Sequence, residues 1–218
     1  ADCIVCGLKQ TSGNIWAPAF DKDYSDLASF KCDFIYWINT ELLSSSVNKI
    51  YKRGLITELY PENMSFGEDL VFVLNYLKHC NRISFTQEPL YQHEVYNSVS
   101  LTHSFSPARF SNLEDIQKAI LDFADDKNKI NPRIYDKYVK DALHLTRMWY
   151  KNKNVPYIRK KEIIGEWLKQ SYIRKLKISD YQLHWKDRML LHCLHMSCFI
   201  GINLIVNGKE YINSLSKE

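Results

Sequence analysis

The apolar pattern of this chain changes character once, near residue 104, and that change limits the fold more than any other feature. Before it, apolar residues come in short runs separated by polar loops, with one clear helix among them. After about Pro107 the pattern is helical throughout, with candidate spans at 107–125, 132–151, 157–170 and 179–206. The turns between them fall at Pro132, at Asn154, Val155 and Pro156, and at Ser179. Short apolar runs bounded by turn residues read as buried strands, and a 3.6-residue repeat reads as helix. The expected architecture is therefore α/β over residues 1–104, followed by an α-helical region over 105–218.

Within the first part, residues 2–9 read as a buried strand, and 14–20 as a second, more exposed one. Residues 21–43 read as helical, with Asp21 or Asp23 as the cap, up to the Ser44, Ser45, Ser46 break. A short helical piece follows residues 47–53 and runs to Leu59. The helix at 67–80 is the clearest element. Leu70, Val73, Leu74 and Leu77 share one face, and Glu68 and Asp69 occupy the first turn, where the helix dipole favours carboxylates. Residues 82–85 and 90–93 read as two short strands, and 97–103 as a polar loop. No repeat or low-complexity segment interrupts this order.

Composition narrows the class. The chain has 218 residues, 13% of them aromatic and 14 of them Tyr, which is globular and not disordered. Tyrosine offers an apolar face with a polar tip and so suits carbohydrate surfaces as well as core edges. The net charge is +4, unevenly spread: Lys151 to Arg188 holds eleven basic side chains against four acidic ones. Such a stretch fits an anionic surface or a solvated helix face. Residues 189–206 are nearly all apolar, interrupted by His192, His195, Ser197 and Asn203. They fit an interfacial helix or a buried bundle helix. Nothing resembling a base-stacking or groove-reading motif accompanies the basic stretch, so no nucleic-acid partner is expected.

The six cysteines, Cys3, Cys6, Cys32, Cys80, Cys193 and Cys198, are scattered. They read as reduced thiols of a cytoplasmic protein, and Cys3 and Cys6 as buried thiols, not zinc ligands. The first residue, Ala1, opens directly on an apolar run, which reads as a cut and not a natural start. The seven glycines form no phosphate loop.

Two adjacent carboxylates at a loop-to-helix junction, Glu68 and Asp69, are placed as a cleft-rim base would be. A plain helix start gives the same dipeptide. The context adds more. Asn48-Lys49-Ile50-Tyr51-Lys52-Arg53 precedes a loop and then Gly67-Glu68-Asp69-Leu70. The series continues through Phe72, Asn75-Tyr76-Leu77, Arg82-Ile83-Ser84 and Glu88-Pro89-Leu90-Tyr91 to Ser98-Val99-Ser100-Leu101. In that order it resembles the acceptor side of bacterial family 2 glycosyltransferases over residues 1–105.

That resemblance implies a partial GT-A, Rossmann-like region, a nucleotide-sugar donor and an inverting transfer to a glycan or lipid-linked acceptor, in surface polysaccharide synthesis. It maps Asp69 onto the catalytic base, with Glu68 beside it, and Asn48, Lys49, Arg53, Tyr91 and His93 onto substrate-binding positions, with Tyr96 as a further pocket wall. A divalent metal, Mg or Mn, is expected for the complete enzyme, its main ligands upstream of Ala1 with the donor-binding half. Asp21-Lys22-Asp23 spells the family's metal motif but stands after its expected place. The location implied is cytoplasmic, with possible contact at the inner face of the cell membrane. The alternative is a non-catalytic helical module that docks on membranes or proteins.

Overall fold

The computed structural model describes residues 1–94 and 106–215, the last seven of these by backbone alone. Tyr96, the 98–101 segment, the loop at 97–103 and the expected boundary at 104 lie outside the described residues. The chain divides into two compact units, Ala1–Ser104 with Asp115–Ile134, and Phe105–Glu114 with Tyr135–Glu218.

The first unit is α/β. Its main sheet has the order β4-β6-β1-β5, built from β1 (Cys3–Val5), β4 (Lys22–Tyr24), β5 (Lys49–Tyr51) and β6 (Ile83–Phe85). β1 and β6 run parallel at the centre, and β5 and β4 flank them antiparallel. A smaller sheet has the order β3-β2-β7, from β2 (Leu8–Gln10), β3 (Ile15–Trp16) and β7 (Tyr91–His93). β2 pairs in parallel with β7 and antiparallel with β3.

The apolar run at 2–9 is thus two strands in two sheets. The break falls at Gly7, where an added Cβ would lie 2.7 Å from the Cβ of Ala17. Only glycine allows the chain to pass that close while it changes sheets. Residues 21–24 also depart from expectation, because Lys22–Tyr24 is strand β4. The cap belongs to Asp26, whose Oδ1 accepts from Ser29 N at 2.8 Å and opens α1 (Leu27–Cys32). Asp21 instead accepts from the backbone N of Gln87 at 2.7 Å.

α1, α2 (Phe34–Asn39) and α3 (Glu68–Leu77) cover the sheet. Trp37 stacks on Phe85 with centroids 3.7 Å apart, and Phe30, Phe34 and Phe123 complete an aromatic core. The Trp37 indole does not strand its N–H, since Nε1 donates to Tyr24 Oη at 2.6 Å and that hydroxyl donates to Asp33 at 2.7 Å. On α3, Leu70, Val73, Leu74 and Leu77 are buried as their spacing requires.

α4 (Ala108–Phe123) contributes its first part to the second unit and its remainder to the first. α5 (Asp126–Lys129) belongs to the first, and α6 (Asp136–Lys151), α7 (Tyr157–Gln170), α8 (Trp185–His195) and α9 (Phe199–Leu215) to the second. Glu114 is a polar anchor of the helical unit. Its carboxylate accepts from Tyr138 Oη at 2.5 Å, Trp167 Nε1 at 2.7 Å and Tyr172 N at 3.2 Å.

The expected single helix at 179–206 is two. α8 ends at a left-handed residue, Ser197 (φ 53°). Ser197 N donates to Leu194 O at 3.1 Å and Cys198 N to Cys193 O at 2.7 Å. These are the two bonds of a Schellman cap, built without the usual glycine. Leu190, Leu191, Leu194 and Ile202 are fully buried, while Met196, Ile200 and Leu204 are exposed. No helix among the described residues is long and apolar enough to cross a membrane.

Candidate active site

Because β1 and β6 are parallel, their carboxyl ends share one edge, at Val5 and Phe85. β5 runs against them and begins at that edge, with Lys49 opposite Val5. Ligands of open α/β sheets bind beyond the carboxyl ends of the strands. The segment at 40–48 arrives at this edge, and its internal bonding decides what the edge can do.

Asn48 and Lys49 are the buried fasteners of that segment, at 0% and 9% exposure. Asn48 Nδ2 donates to Cys6 O at 2.9 Å and to Leu42 O at 3.3 Å. Lys49 Nζ donates to Leu42 O at 2.7 Å, to Asn48 Oδ1 at 2.8 Å and to Ser45 O. Three acceptors satisfy the three N–H groups of the ammonium. The pair therefore shapes the loop and does not itself present polar atoms to a substrate.

Burial pulls the Lys49 ammonium down to about 8, against the opposing influence of Cys3 and Asp69. The folded value lies below the unfolded one, so the unfolded chain binds more protons between them. Stability contributed by Lys49 thus rises as pH climbs from about 8 to about 10.4, the unperturbed lysine value. The measurement is urea denaturation of wild type and Lys49→Met across that window. Their difference is expected to grow in favour of wild type by on the order of 2 kcal/mol. A flat difference counts against a buried, charged Lys49.

Asp69 is tied to the same loop, since Ser46 Oγ donates to its Oδ1 at 2.8 Å. Ser46 is itself buried, and its carbonyl accepts from Tyr51 Oη at 2.9 Å. Asp69 is half-buried, as is Glu68 beside it. Gly67 opens α3 with φ 76° and lets the loop turn into the helix at this point.

The other side of the 40–48 segment walls a cleft of about 260 Å³. Thr40, Glu41, Leu42 and Ser45 form one wall; Leu8, Gln10, Trp16 and His93 come from the smaller sheet. Trp16 is 44% exposed, a flat apolar face of the kind on which a sugar ring stacks. Glu41 holds a left-handed conformation (φ 64°), uncommon for a residue with a side chain, and Ser44 Oγ donates to its Oε2 at 2.9 Å. Sequence reasoning missed Trp16, Glu41 and Gln10. Only the exposed aromatic on a short strand left a signal.

Of the residues singled out in the sequence, the fold gathers Asp69, Glu68, Asn48 and Lys49 at the carboxyl edge, and His93 lines the cleft. Tyr91 lies two residues before His93 on β7, and so on the same face of the sheet, paired with Leu8. Arg53 is not part of this cluster. It follows β5, whose far end pairs with Cys3 at the amino end of β1, and it is exposed there in a 3-10 turn. The antiparallel run of β5 carries Arg53 away from Lys49, although the two are near neighbours in sequence. As for the expected divalent metal, no three His, Cys, Asp or Glu among the described residues come together as a ligand set.

No protein-family model matches the chain, and no curated protein matches it in sequence. Among solved structures, it is similar to residues 1–349 of S. aureus TarS, determined in complex with UDP-GlcNAc, at TM-score 0.55 and 18% identity. The match covers 96% of this chain and 60% of that one, so the chain spans less than two thirds of its neighbour. The fold is thus glycosyltransferase-like, a partial Rossmann-like α/β region followed by helices.

Proposed function

We propose that this chain is the acceptor-side part of a nucleotide-sugar-dependent glycosyltransferase acting with inversion on a glycan or lipid-linked hydroxyl. One observation carries the reading. A carboxylate, Asp69, is held by Ser46 at the carboxyl edge of the sheet, on the loop that walls a cleft with an exposed tryptophan. The glycosyltransferase-like fold and the UDP-GlcNAc bound by its structural neighbour support the same class.

In this reading the acceptor hydroxyl oxygen attacks the anomeric carbon, and its proton passes to the Asp69 carboxylate. The bond from the anomeric carbon to the diphosphate oxygen breaks, and its electron pair leaves on the nucleoside diphosphate. Trp16 and His93 position the acceptor. The donor diphosphate, and the Mg or Mn ion expected with it, are assigned to residues other than this acceptor-side set. Work at the cytoplasmic face of a membrane, in surface polysaccharide synthesis, belongs to the same proposal. The exposed Ile200 and Leu204 of α9 support it.

The test is release of nucleoside diphosphate by the full-length protein from a panel of nucleotide sugars, with and without glycan acceptors. Acceptor-stimulated release from at least one donor is the expected result. Absence of both donor binding and release across the panel overturns the reading.

A further inference from the structure

The helical unit contains a cavity of about 610 Å³, larger than the cleft of the α/β unit, which the transfer reaction does not use. Its walls come from the end of α6, the start of α7 and the middle of α9. Three lysines line it, Lys151, Lys153 and Lys160, and no carboxylate does among the described residues.

Lys160 is the informative one. It is 8% exposed, yet its Nζ has one partner, the backbone O of Tyr150 at 2.7 Å. An ammonium has three N–H groups to satisfy, and a buried charge without a counter-charge is costly. Desolvation lowers its proton affinity, as expected for a cation lacking an anionic neighbour. Tyr150, whose carbonyl holds Lys160, lines the cavity as well. Asn207 Nδ2 converges on the same Tyr150 carbonyl at 3.3 Å.

We propose that this cavity binds a phosphate monoester. The two ammonium groups of Lys151 and Lys160 match the nearly two negative charges of a monoester better than the single charge of a carboxylate. The volume exceeds what a bare phosphate fills and lies within the range of small-molecule sites. Tyr157, Ile200 and Leu204 supply apolar lining for the organic part of the ester. The site lies within the helical unit and stands or falls separately from the transferase reading.

The experiment is calorimetric titration of the whole chain at low salt with three probes. These are phenyl phosphate, vesicles containing phosphatidic acid, and vesicles of phosphatidylcholine alone. Saturable binding of phenyl phosphate supports the site and identifies a soluble ester as sufficient. Binding confined to phosphatidic acid vesicles supports it with a lipid headgroup as the source. Binding of neither, or equal binding of phosphatidylcholine, overturns it.

Lys160→Met is expected to weaken the supported probe about tenfold or more, because hydrogen bonds to charged groups carry that much. Lys160 also fastens Tyr150, so that variant can fail to fold. Lys151→Gln with Lys153→Gln changes exposed side chains and is expected to weaken binding by a similar factor, with folding intact. Unchanged affinity in the double lysine variant sinks the proposal.

Discussion

Asp69→Asn in the full-length protein is expected to lower transfer turnover by about 10²–10⁴-fold, the contribution usual for a positioned general base. Donor affinity is expected to stay close to wild type. The substitution is chosen for what it preserves. An asparagine Oδ1 still accepts the hydrogen bond that Ser46 Oγ makes to Asp69 at 2.8 Å, so the loop at 40–48 keeps its tie to α3. The amide cannot take a proton at that position, and only the chemical step is removed. Loss of turnover without loss of donor binding is the signature of an interaction made in the transition state. Glu68→Gln is the companion measurement, because Glu68 shares the helix start. A large loss there with none in Asp69→Asn would move the base by one residue. Full turnover in both would remove the carboxylate mechanism from this edge of the sheet.

What the sequence carried about this site was order and not geometry. The helix of Asp69 was legible because Leu70, Val73, Leu74 and Leu77 repeat with the helical period and are all buried. β6 and β7 were legible as short apolar runs around Glu88 and Pro89. Lys49 was not legible as a buried group. It belongs to a basic run with Lys52 and Arg53, and nothing in such a run marks which ammonium turns inward to backbone carbonyls. The strand between Lys49 and Arg53 then separates them, because a three-residue strand spans about 10 Å. The break in the C-terminal apolar stretch was hidden for another reason. A Schellman cap is normally announced by glycine, and here Ser197 adopts the left-handed conformation. The cleft joins Trp16, Glu41 and His93, which are far apart in the chain, and their meeting depends on two sheets that the 2–9 run gave no sign of.

Gly67→Ala is expected to destabilise the α/β unit by roughly 2–5 kcal/mol, from two separable sources. The first is conformational. Gly67 sits at φ 76°, and a Cβ in the left-handed region costs about 1–2 kcal/mol. The second is steric. A Cβ at Gly67 would lie 2.1 Å from Ile116 Cδ1 and 2.6 Å from Cγ1. Ile116 is buried at 3% exposure, so its movement disturbs packed neighbours, at about 1–3 kcal/mol. A double-mutant cycle with Ile116→Val isolates the Cδ1 share of the steric part. Valine lacks Cδ1 and by itself costs about 0.5–1.5 kcal/mol. In the pair the Cδ1 clash is removed, while the Cγ1 contact and the conformational part stay, so the pair loses less than the sum of its singles. Strict additivity in urea denaturation would show that Ile116 does not meet the new methyl group. The functional consequence follows from position, since Gly67 fixes the turn that delivers Asp69 to Ser46. Gly67→Ala is therefore expected to lower turnover even at temperatures where the variant is fully folded. Ile116→Val, which leaves the turn alone, is expected to keep the wild-type rate.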